Sequence, residues 1–189
     1  MLTTPATELE AVNTLLSVIG ESPINSLESS GHVDAATARN ILSEVNRALQ
    51  AKGWHWNTET MELPLSSPDK TILLPANTMR CSVPGQGVDV VQRGGRLYDR
   101  RRNTYSFERP LRVELVLLLN FDELPHAARE LCVMRSARVF QQRVLGSVEL
   151  YQFTARDEAA ALADLMNAEA ESLDLNILTN SAVARVLHR

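Results

Sequence analysis

The stretch that decides the fold is DAATARNILSEVNRALQAKGWHWN, residues 34–57, because two periodicities of apolar residues meet within it. Up to Gly53 the apolar residues recur every three or four positions, which predicts a helix capped by Asp34 with one buried face. After WHWN apolar and polar residues alternate, which is typical of β-strands. The predicted buried face of the helix consists of Ala38, Ile41, Leu42, Val45 and Leu49.

Helices are also predicted on both sides of this stretch. In residues 4–20, Thr4 is expected to cap a first helix and Gly20 to end it. Beyond the strands, a third helix is predicted over residues 122–146, and a long fourth helix follows it. The expected apolar side of the fourth helix contains Tyr151, Leu162, Leu165, Met166 and Leu173. The third helix is expected to bury Leu131, Met134, Val144 and either Ala137 or the aliphatic stem of Arg138.

Residues 60–119 contain short apolar runs separated by Pro, Gly, Asn or Asp, which predicts an antiparallel sheet. In its last strand, successive side chains are expected to point to opposite faces. One face would carry Leu111, Val113, Leu115 and Leu117, and the other Arg112, Glu114 and Val116.

The predicted fold is therefore α+β. An antiparallel bundle of four main helices carries an antiparallel β domain inserted between helices two and three, and a C-terminal arm follows. The expected boundaries are 1–57 and 120–175 for the discontinuous helical domain, 58–119 for the β domain and 176–189 for the arm.

Charge is distributed unevenly along the chain. The 189 residues carry a formal net charge of -4, which does not favour a general polyanion binder. Residues 93–112 nevertheless hold seven arginines against Asp99 and Glu108, a net charge of +5, so the remainder carries -9. Such an asymmetry predicts complementary surfaces within an assembly or towards a partner.

The third and fourth helices are expected to have opposite charge, basic and acidic respectively. They could complement each other inside one subunit or across a subunit boundary. The residues selected for charge complementarity between subunits are Arg135, Arg138, Glu158 and Asp164.

Cysteine usage and the N-terminus favour a protein made in a cytoplasm. Cys81 and Cys132 are far apart in sequence and are expected to be free thiols in a reducing compartment. Neither a signal peptide nor an apolar run long enough to span a membrane is visible, so no membrane association is expected.

The most basic stretch is RGGRLYDRRRNTYSF, residues 93–107. Strands rather than a helix flank its glycines, which argues against a dinucleotide-binding loop and for a tight hairpin turn at Gly94 and Gly95. Arginines beside tyrosines also suit nucleic acid, so a nucleic-acid contact and a protein contact both stay open.

Other residue patterns that could carry chemistry are weak. His126 and Glu130 are four apart on a helix, but two ligands are too few for a metal site. The acidic pairs Asp122/Glu123 and Asp157/Glu158 could be imagined as glycosidase carboxylates, yet adjacent residues point to different faces of a helix. We expect no catalytic residue, cofactor or metal.

Four segments in order resemble the tail tubular protein A family, the adaptor or gatekeeper proteins of short-tailed podovirus-type bacteriophages. The segments are LLSVIGESPINSLE, DAATARNILSEVNRALQAKGWHWNTE, VVQRGGRLYDR and FDELPHAARELCVMRSARVFQQR. The similarity extends from about residue 8 to residue 170, and it departs in residues 66–88 and in the last segment.

This resemblance implies a structural virion protein of the tail, assembled in the cytoplasm of the bacterial host. It implies a dodecameric head-to-tail adaptor ring that binds the portal protein on one side and the tail nozzle, tail tubular protein B, on the other. Double-stranded DNA would pass through the lumen during ejection without sequence-specific binding. A tail-associated cell-wall or polysaccharide hydrolase is the alternative.

The adaptor hypothesis assigns two groups of residues. The hairpin arginines would contact the nozzle or a neighbouring subunit, namely Arg93, Arg96, Arg100, Arg101 and Arg102. Related adaptors dock a C-terminal arm into the portal, which here implies Ile177, Leu178, Val183, Val186 and Leu187.

Overall fold

The computed structural model describes residues 7–28 and 32–179, and this part of the chain contains four α-helices and five β-strands. In chain order they are α1 (Glu8–Val18), α2 (Val33–Gln50), β1 (Thr58–Leu63), β2 (Thr78–Ser82), β3 (Val90–Arg93), β4 (Arg96–Asp99), β5 (Leu111–Leu117), α3 (His126–Val144) and α4 (Val148–Thr179). The predicted α+β class, with strands inserted between the second and third helices, is confirmed.

The contacts divide the chain into two compact units. One contains the residues up to Asn46 together with those from Phe121 onward, and the other contains Arg47–Asn120. The division falls within α2. The domain boundaries at residues 57 and 119 stay a prediction.

In the first unit, α1 begins with a capping box. The Thr7 hydroxyl accepts a hydrogen bond from the Glu10 amide at 3.2 Å, and the Glu10 carboxylate accepts one from the Thr7 amide at 3.3 Å. The prediction that Thr4 caps this helix is wrong. Thr4 lies outside the described residues and α1 begins at Glu8, because Thr7 has a glutamate three positions later and so satisfies two amides at once.

The start of α2 and the end of α3 also differ from the sequence-based expectation. Asp34 lies inside the first turn of α2 and not at its cap, where its carboxylate still faces the positive end of the helix dipole. Val144, expected in the core, is 41% exposed in the last turn of α3. The predicted inner face of α2 is buried as expected, and α3 buries Leu131 and Ala137.

α4 is the longest element, with 32 residues, and spans about 48 Å at 1.5 Å per residue. It packs against α3, which has 19 residues. Among its described side chains only Ala161 and Leu165 are buried. Tyr151 and Met166, expected on its apolar side, are 38% and 54% exposed, so most of this helix faces solvent in the single chain.

In the second unit, β5 is the central strand of a three-stranded antiparallel sheet in the order β1-β5-β2. The pairing with β1 extends from Leu63 opposite Leu111 to Thr58 opposite Val116, and the pairing with β2 shifts register between Thr78 and Arg80. The expected inner face of β5 is confirmed, since Leu111, Val113, Leu115 and Leu117 all belong to one buried cluster.

The other face of β5 is only partly as expected. Val116 was predicted to face away from the core, but it is 2% exposed. The reason is the backbone at Gly53, where an added Cβ would lie 3.0 Å from Val116 Cγ2 and 2.6 Å from an Arg80 side-chain nitrogen. Gly53 has a φ of 77°, so the chain turns at this glycine and closely approaches the sheet.

A buried polar network fixes the point at which the chain changes from helix to strand. The Asn57 amide group donates hydrogen bonds to the carbonyl oxygens of Gln50 and Leu117, at 3.0 and 2.9 Å, and its oxygen accepts one from the Trp54 amide. The Gln50 side chain binds both backbone groups of Leu119. The Trp54 indole donates to the Leu49 carbonyl and stacks on Trp56.

Candidate functional site

The predicted turn at Gly94 and Gly95 joins β3 to β4 as a two-residue hairpin. Both glycines have positive φ, 57° and 72°, and Arg93 pairs with Arg96 across the turn. A two-residue turn whose twist matches that of the flanking strands requires positive φ at both central residues. The glycines therefore serve the backbone, as the sequence predicted, and place Arg93 and Arg96 side by side.

The chain segment before β2 extends this hairpin by pairing with the outer edge of β4. The Leu97 amide donates to the Ile72 carbonyl at 3.0 Å, and the Leu74 amide donates to the Gly95 carbonyl at 2.9 Å. Leu73 lies opposite Arg96 and is 54% exposed, whereas Leu97, on the other face, is fully buried. The hairpin thus has an inner apolar face and an outer face available for contact.

Two arginine–tyrosine stacks occupy this outer face. The Arg93 guanidinium carbon lies 4.0 Å from the centre of the Tyr98 ring, and that of Arg96 lies 4.8 Å from the centre of the Tyr105 ring. The two rings meet edge to face at 4.9 Å. Stacking holds the guanidinium planes in place and leaves their N–H edges for a carboxylate or a phosphate.

The basic turn after β4 is organised by Asp99, which is 3% exposed. Its carboxylate accepts hydrogen bonds from the backbone amides of Arg101 and Arg102, at 2.8 and 3.1 Å. Asn103 then takes a φ of 52°, a conformation that asparagine tolerates well. These hydrogen bonds fix the conformation of the turn. The side chains of the three consecutive arginines on it are all exposed.

These residues form one surface, which we call the arginine hairpin: β3, β4 and the turn to Thr104. Arg100 lies 3.8 Å from Asp89 and Arg102 lies 2.8 Å from Glu108, both in exposed pairs. Within the described residues, Arg93, Arg96 and Arg101 have no carboxylate partner. All five predicted contact arginines are therefore brought together, and three carry an uncompensated charge.

The predicted charge complementarity of α3 and α4 occurs inside the chain. Arg135 binds Glu158 at 2.7 Å, and Arg138 binds the other oxygen of the same carboxylate. Burial would raise the pKa of the Glu158 carboxyl, but hydrogen bonds from the two arginines outweigh it and hold the pKa below its usual range. Asp164 is exposed and is not part of this cluster. A role for these four residues between subunits stays a prediction.

Two of the carboxylates considered for other chemistry already have hydrogen-bond partners. Asp122 accepts a hydrogen bond from the Glu8 amide at 3.0 Å, and Glu158 is bound by its arginines. Within residues 7–28 and 32–179, no three side chains of His, Cys, Asp or Glu are grouped to hold a metal ion. No helix in that part of the chain is both long and apolar enough to cross a bilayer.

Both cysteines are free thiols, as predicted. Burial raises the pKa of Cys132 to about 12, with smaller opposing effects from Ser136 and Arg135. Burial also raises the pKa of the half-buried Cys81. Since the thiolate is the reactive form, neither cysteine is suited to nucleophilic chemistry near neutral pH.

The arm residues cannot be placed as a site. Ile177 and Leu178 fall in the last turn of α4, where only the backbone is described. Val183, Val186 and Leu187 lie outside the described residues.

Sequence reasoning missed the stacking geometry and the exposure of Leu73. A signal for the stacks was present: in β4, Arg96 and Tyr98 are two apart and so share a face. Leu73 gave no such signal, because an apolar residue within TILLP is typical of a buried strand.

Comparison with known proteins identifies the family of the chain. A family described as tail tubular protein matches residues 9–175, which covers parts of both units. The chain is also similar to the tail tubular protein A of Klebsiella phage KP34, with 31% identity over 134 residues, 70% of this chain and 71% of the relative. The chain therefore belongs to the tail tubular protein family and is a structural component of a phage tail.

Proposed function

We propose that this protein is the head-to-tail adaptor of a short-tailed phage, a subunit of a dodecameric ring between the portal protein and the tail nozzle. The observation that carries the proposal is the family match over residues 9–175. A subunit of a closed ring needs two different surfaces that meet head to tail. The basic arginine hairpin and the acidic remainder of the chain meet that requirement.

In this proposal the channel of the ring conducts double-stranded DNA without gripping it. A net charge of -4 suits that role, because a subunit with an overall negative charge repels the phosphate backbone. The arginine hairpin binds protein, at the nozzle or at a neighbouring subunit. The C-terminal arm docks into the portal through Ile177, Leu178, Val183, Val186 and Leu187.

The hydrolase alternative requires two carboxylates that face one cleft, about 5 to 9.5 Å apart. Nothing in the described residues favours it. Glu158 is a poor general acid, since two arginines hold its pKa low, whereas a general acid needs a raised pKa. Asp122 is engaged by the Glu8 amide.

Measuring the size of the complex that the chain forms with its proposed partners tests the proposal. The purified chain is mixed with the portal and nozzle proteins of the same phage and measured by light scattering and electron microscopy of negatively stained particles. We expect rings of twelve subunits attached to both partners. A chain that remains monomeric with both partners present, at every concentration, overturns the proposal.

Two variants test whether the C-terminal arm is needed for portal binding but not for ring formation. Replacing Val183, Val186 and Leu187 by aspartate is expected to abolish portal binding and to leave ring formation unchanged. The control is Val33→Asp, since Val33 is 79% exposed at the start of α2 and tolerates a negative charge there. Portal binding by the triple variant that equals that of the control contradicts the role of the arm.

A further inference from the structure

We infer that the arginine hairpin of one subunit binds a line of acidic side chains on α4 of a second copy of the same chain. This inference rests on the proposed ring and names the two surfaces that form its subunit contact. The molecule that binds the hairpin face is a second copy of this chain and not DNA.

The acceptor surface follows from the spacing of acids along α4. Asp157, Asp164 and Glu171 are seven residues apart, so they lie on one side of the helix, two turns from each other. All three are exposed, and within the described residues none has a cationic partner. Successive members are separated by about 10.5 Å along the helix axis.

This acidic line borders the side of α4 that packs on α3, on the flank opposite Glu158. Leu165 and Ala161 mark the buried side, together with the carboxylate of Glu158. At 100° per residue, Asp164 lies about 100° around the helix from Leu165 and about 60° from Ala161. The exposure of all three acids shows that packing within the chain leaves the acidic line uncovered.

The donor surface matches the acceptor in charge and in length. Arg93 and Arg96 lie at one end of the hairpin and the consecutive arginines at the other. From Arg96 to Arg100 the chain covers about 13 Å at the rise of a β-strand, close to one interval of the acidic line. Two arginine clusters can thus reach two successive carboxylates at once.

The charge of the chain favours carboxylates over a DNA backbone as the partner of the hairpin, because a net charge of -4 repels a polyphosphate. Tyrosine rings cover the faces of the Arg93 and Arg96 guanidinium groups, and the exposed N–H edges suit two-point binding of a carboxylate as well as of a phosphate. Arg100 and Arg102 already have carboxylate partners in Asp89 and Glu108, so this turn accommodates carboxylates. Such exposed pairs are weak and exchange readily for a partner's acids.

Charge reversal on each surface, followed by mixing, tests the contact. One variant carries Arg96→Glu and Arg101→Glu, and the other carries Asp164→Lys and Glu171→Lys. Alone, each variant opposes like charges at the contact, and we expect its self-association to be at least about 100-fold weaker than that of the wild type. In an equimolar mixture each reversed surface meets the other, and association should return. Light scattering measures all three samples.

Two controls address folding and general charge. The control variants Arg47→Glu and Glu62→Lys reverse exposed charges on α2 and β1 and should assemble as the wild type does. Circular dichroism of the two test variants should match that of the wild type. If a test variant fails to fold, crosslinking replaces it: Arg101→Cys and Asp164→Cys, in separately tagged chains with Cys81→Ser, should be joined between subunits by a short bis-maleimide crosslinker.

The outcomes distinguish this inference from the proposed function. A wild type that assembles, together with charge-reversed variants that assemble equally well or a mixture that stays dissociated, overturns the inference and leaves the ring intact. Binding of the wild-type hairpin to DNA that falls steeply with salt, without rescue in the mixture, overturns it in favour of nucleic acid. Where the wild type does not associate alone, all samples are measured with the portal and nozzle proteins present, and a wild type that does not associate even then overturns both.

Discussion

At the scale of single residues, Glu158 shows how one carboxylate is fixed by two opposed effects. Its side chain is 13% exposed, and the two arginines that bind it are 21% and 22% exposed. Burial disfavours the charged form, and the arginines favour it more strongly, so the pKa is lowered in the folded state. The link between α3 and α4 is therefore strongest when this carboxylate is ionised.

We predict that Glu158→Gln lowers the free energy of unfolding by about 2 kcal/mol at neutral pH, since it removes two charge-assisted hydrogen bonds. Because the folded-state pKa lies below the unfolded value, this stabilisation is present above the usual glutamate pKa of about 4.3. It disappears as the pH falls through the lowered pKa. Urea unfolding of both proteins over a pH series measures the difference.

The control for this variant is Glu21→Gln, which alters an exposed glutamate on the loop after α1 in the same unit. It should change stability little at any pH. A Glu158→Gln effect that is equally large at pH values well below the glutamate range would contradict the assignment of the stabilisation to an ionised carboxylate.

A second prediction concerns the change from helix to strand. Asn57→Ala removes the partners of the Gln50 and Leu117 carbonyls and of the Trp54 amide in a buried site, and should cost about 3 kcal/mol. The matched control is Asn77→Ala, which removes one exposed hydrogen bond to the Leu118 carbonyl and should cost less than about 1 kcal/mol. Equal losses of stability in thermal unfolding would show that the buried network does not matter.

At the scale of elements, the arginine hairpin depends on its two-glycine turn. Gly94 and Gly95 have open space around them, so substitutions there report on backbone conformation and not on crowding. Asparagine adopts positive φ with little strain, whereas a β-branched residue does not.

We therefore predict that Gly94→Asn leaves the hairpin intact and that Gly94→Val destabilises it by about 1 to 2 kcal/mol. Amide hydrogen exchange in β3 and β4 measures the difference, with β1 and β5 as the internal reference. Faster exchange throughout the second unit in Gly94→Val, or equal exchange in both variants, would mean that the turn does not control the hairpin separately.

The elements also show which features the sequence can predict. Helix α2 and strand β5 were recognisable because one face of each is buried, so the periodicity of apolar residues survives. For α4 the same pattern misled, since Met166 and Tyr151 look like core residues but face solvent. Periodicity shows that a helix has an apolar side, but it does not show whether that side is buried within the chain.

At the scale of the whole molecule, the family, the α+β class and the position of the arginine hairpin could all be derived from the sequence. The tyrosine stacks and the internal pairing of Arg135, Arg138 and Glu158 could not. They depend on which residues far apart in sequence meet in space, and charge patterns alone left pairing inside and between subunits equally open.

The effect of salt on assembly should show whether charge pairing or apolar contact dominates the association. At about 1 M salt the screening length falls to about 3 Å, so a contact between arginines and carboxylates weakens. We predict that raising sodium chloride dissociates the assembled protein, as measured by light scattering. Association that strengthens with salt would indicate an apolar contact instead.

The composition of α4 meets two requirements on a subunit that has not yet been assembled. A helix that packs along one side only must form with little help from tertiary packing, and it must not adhere to unrelated surfaces. Seven alanines between residues 155 and 170 meet both needs, since alanine has the highest helix propensity and exposes little apolar area. A leucine-rich helix of the same length would form as well but would aggregate during the delay between synthesis and incorporation into the particle.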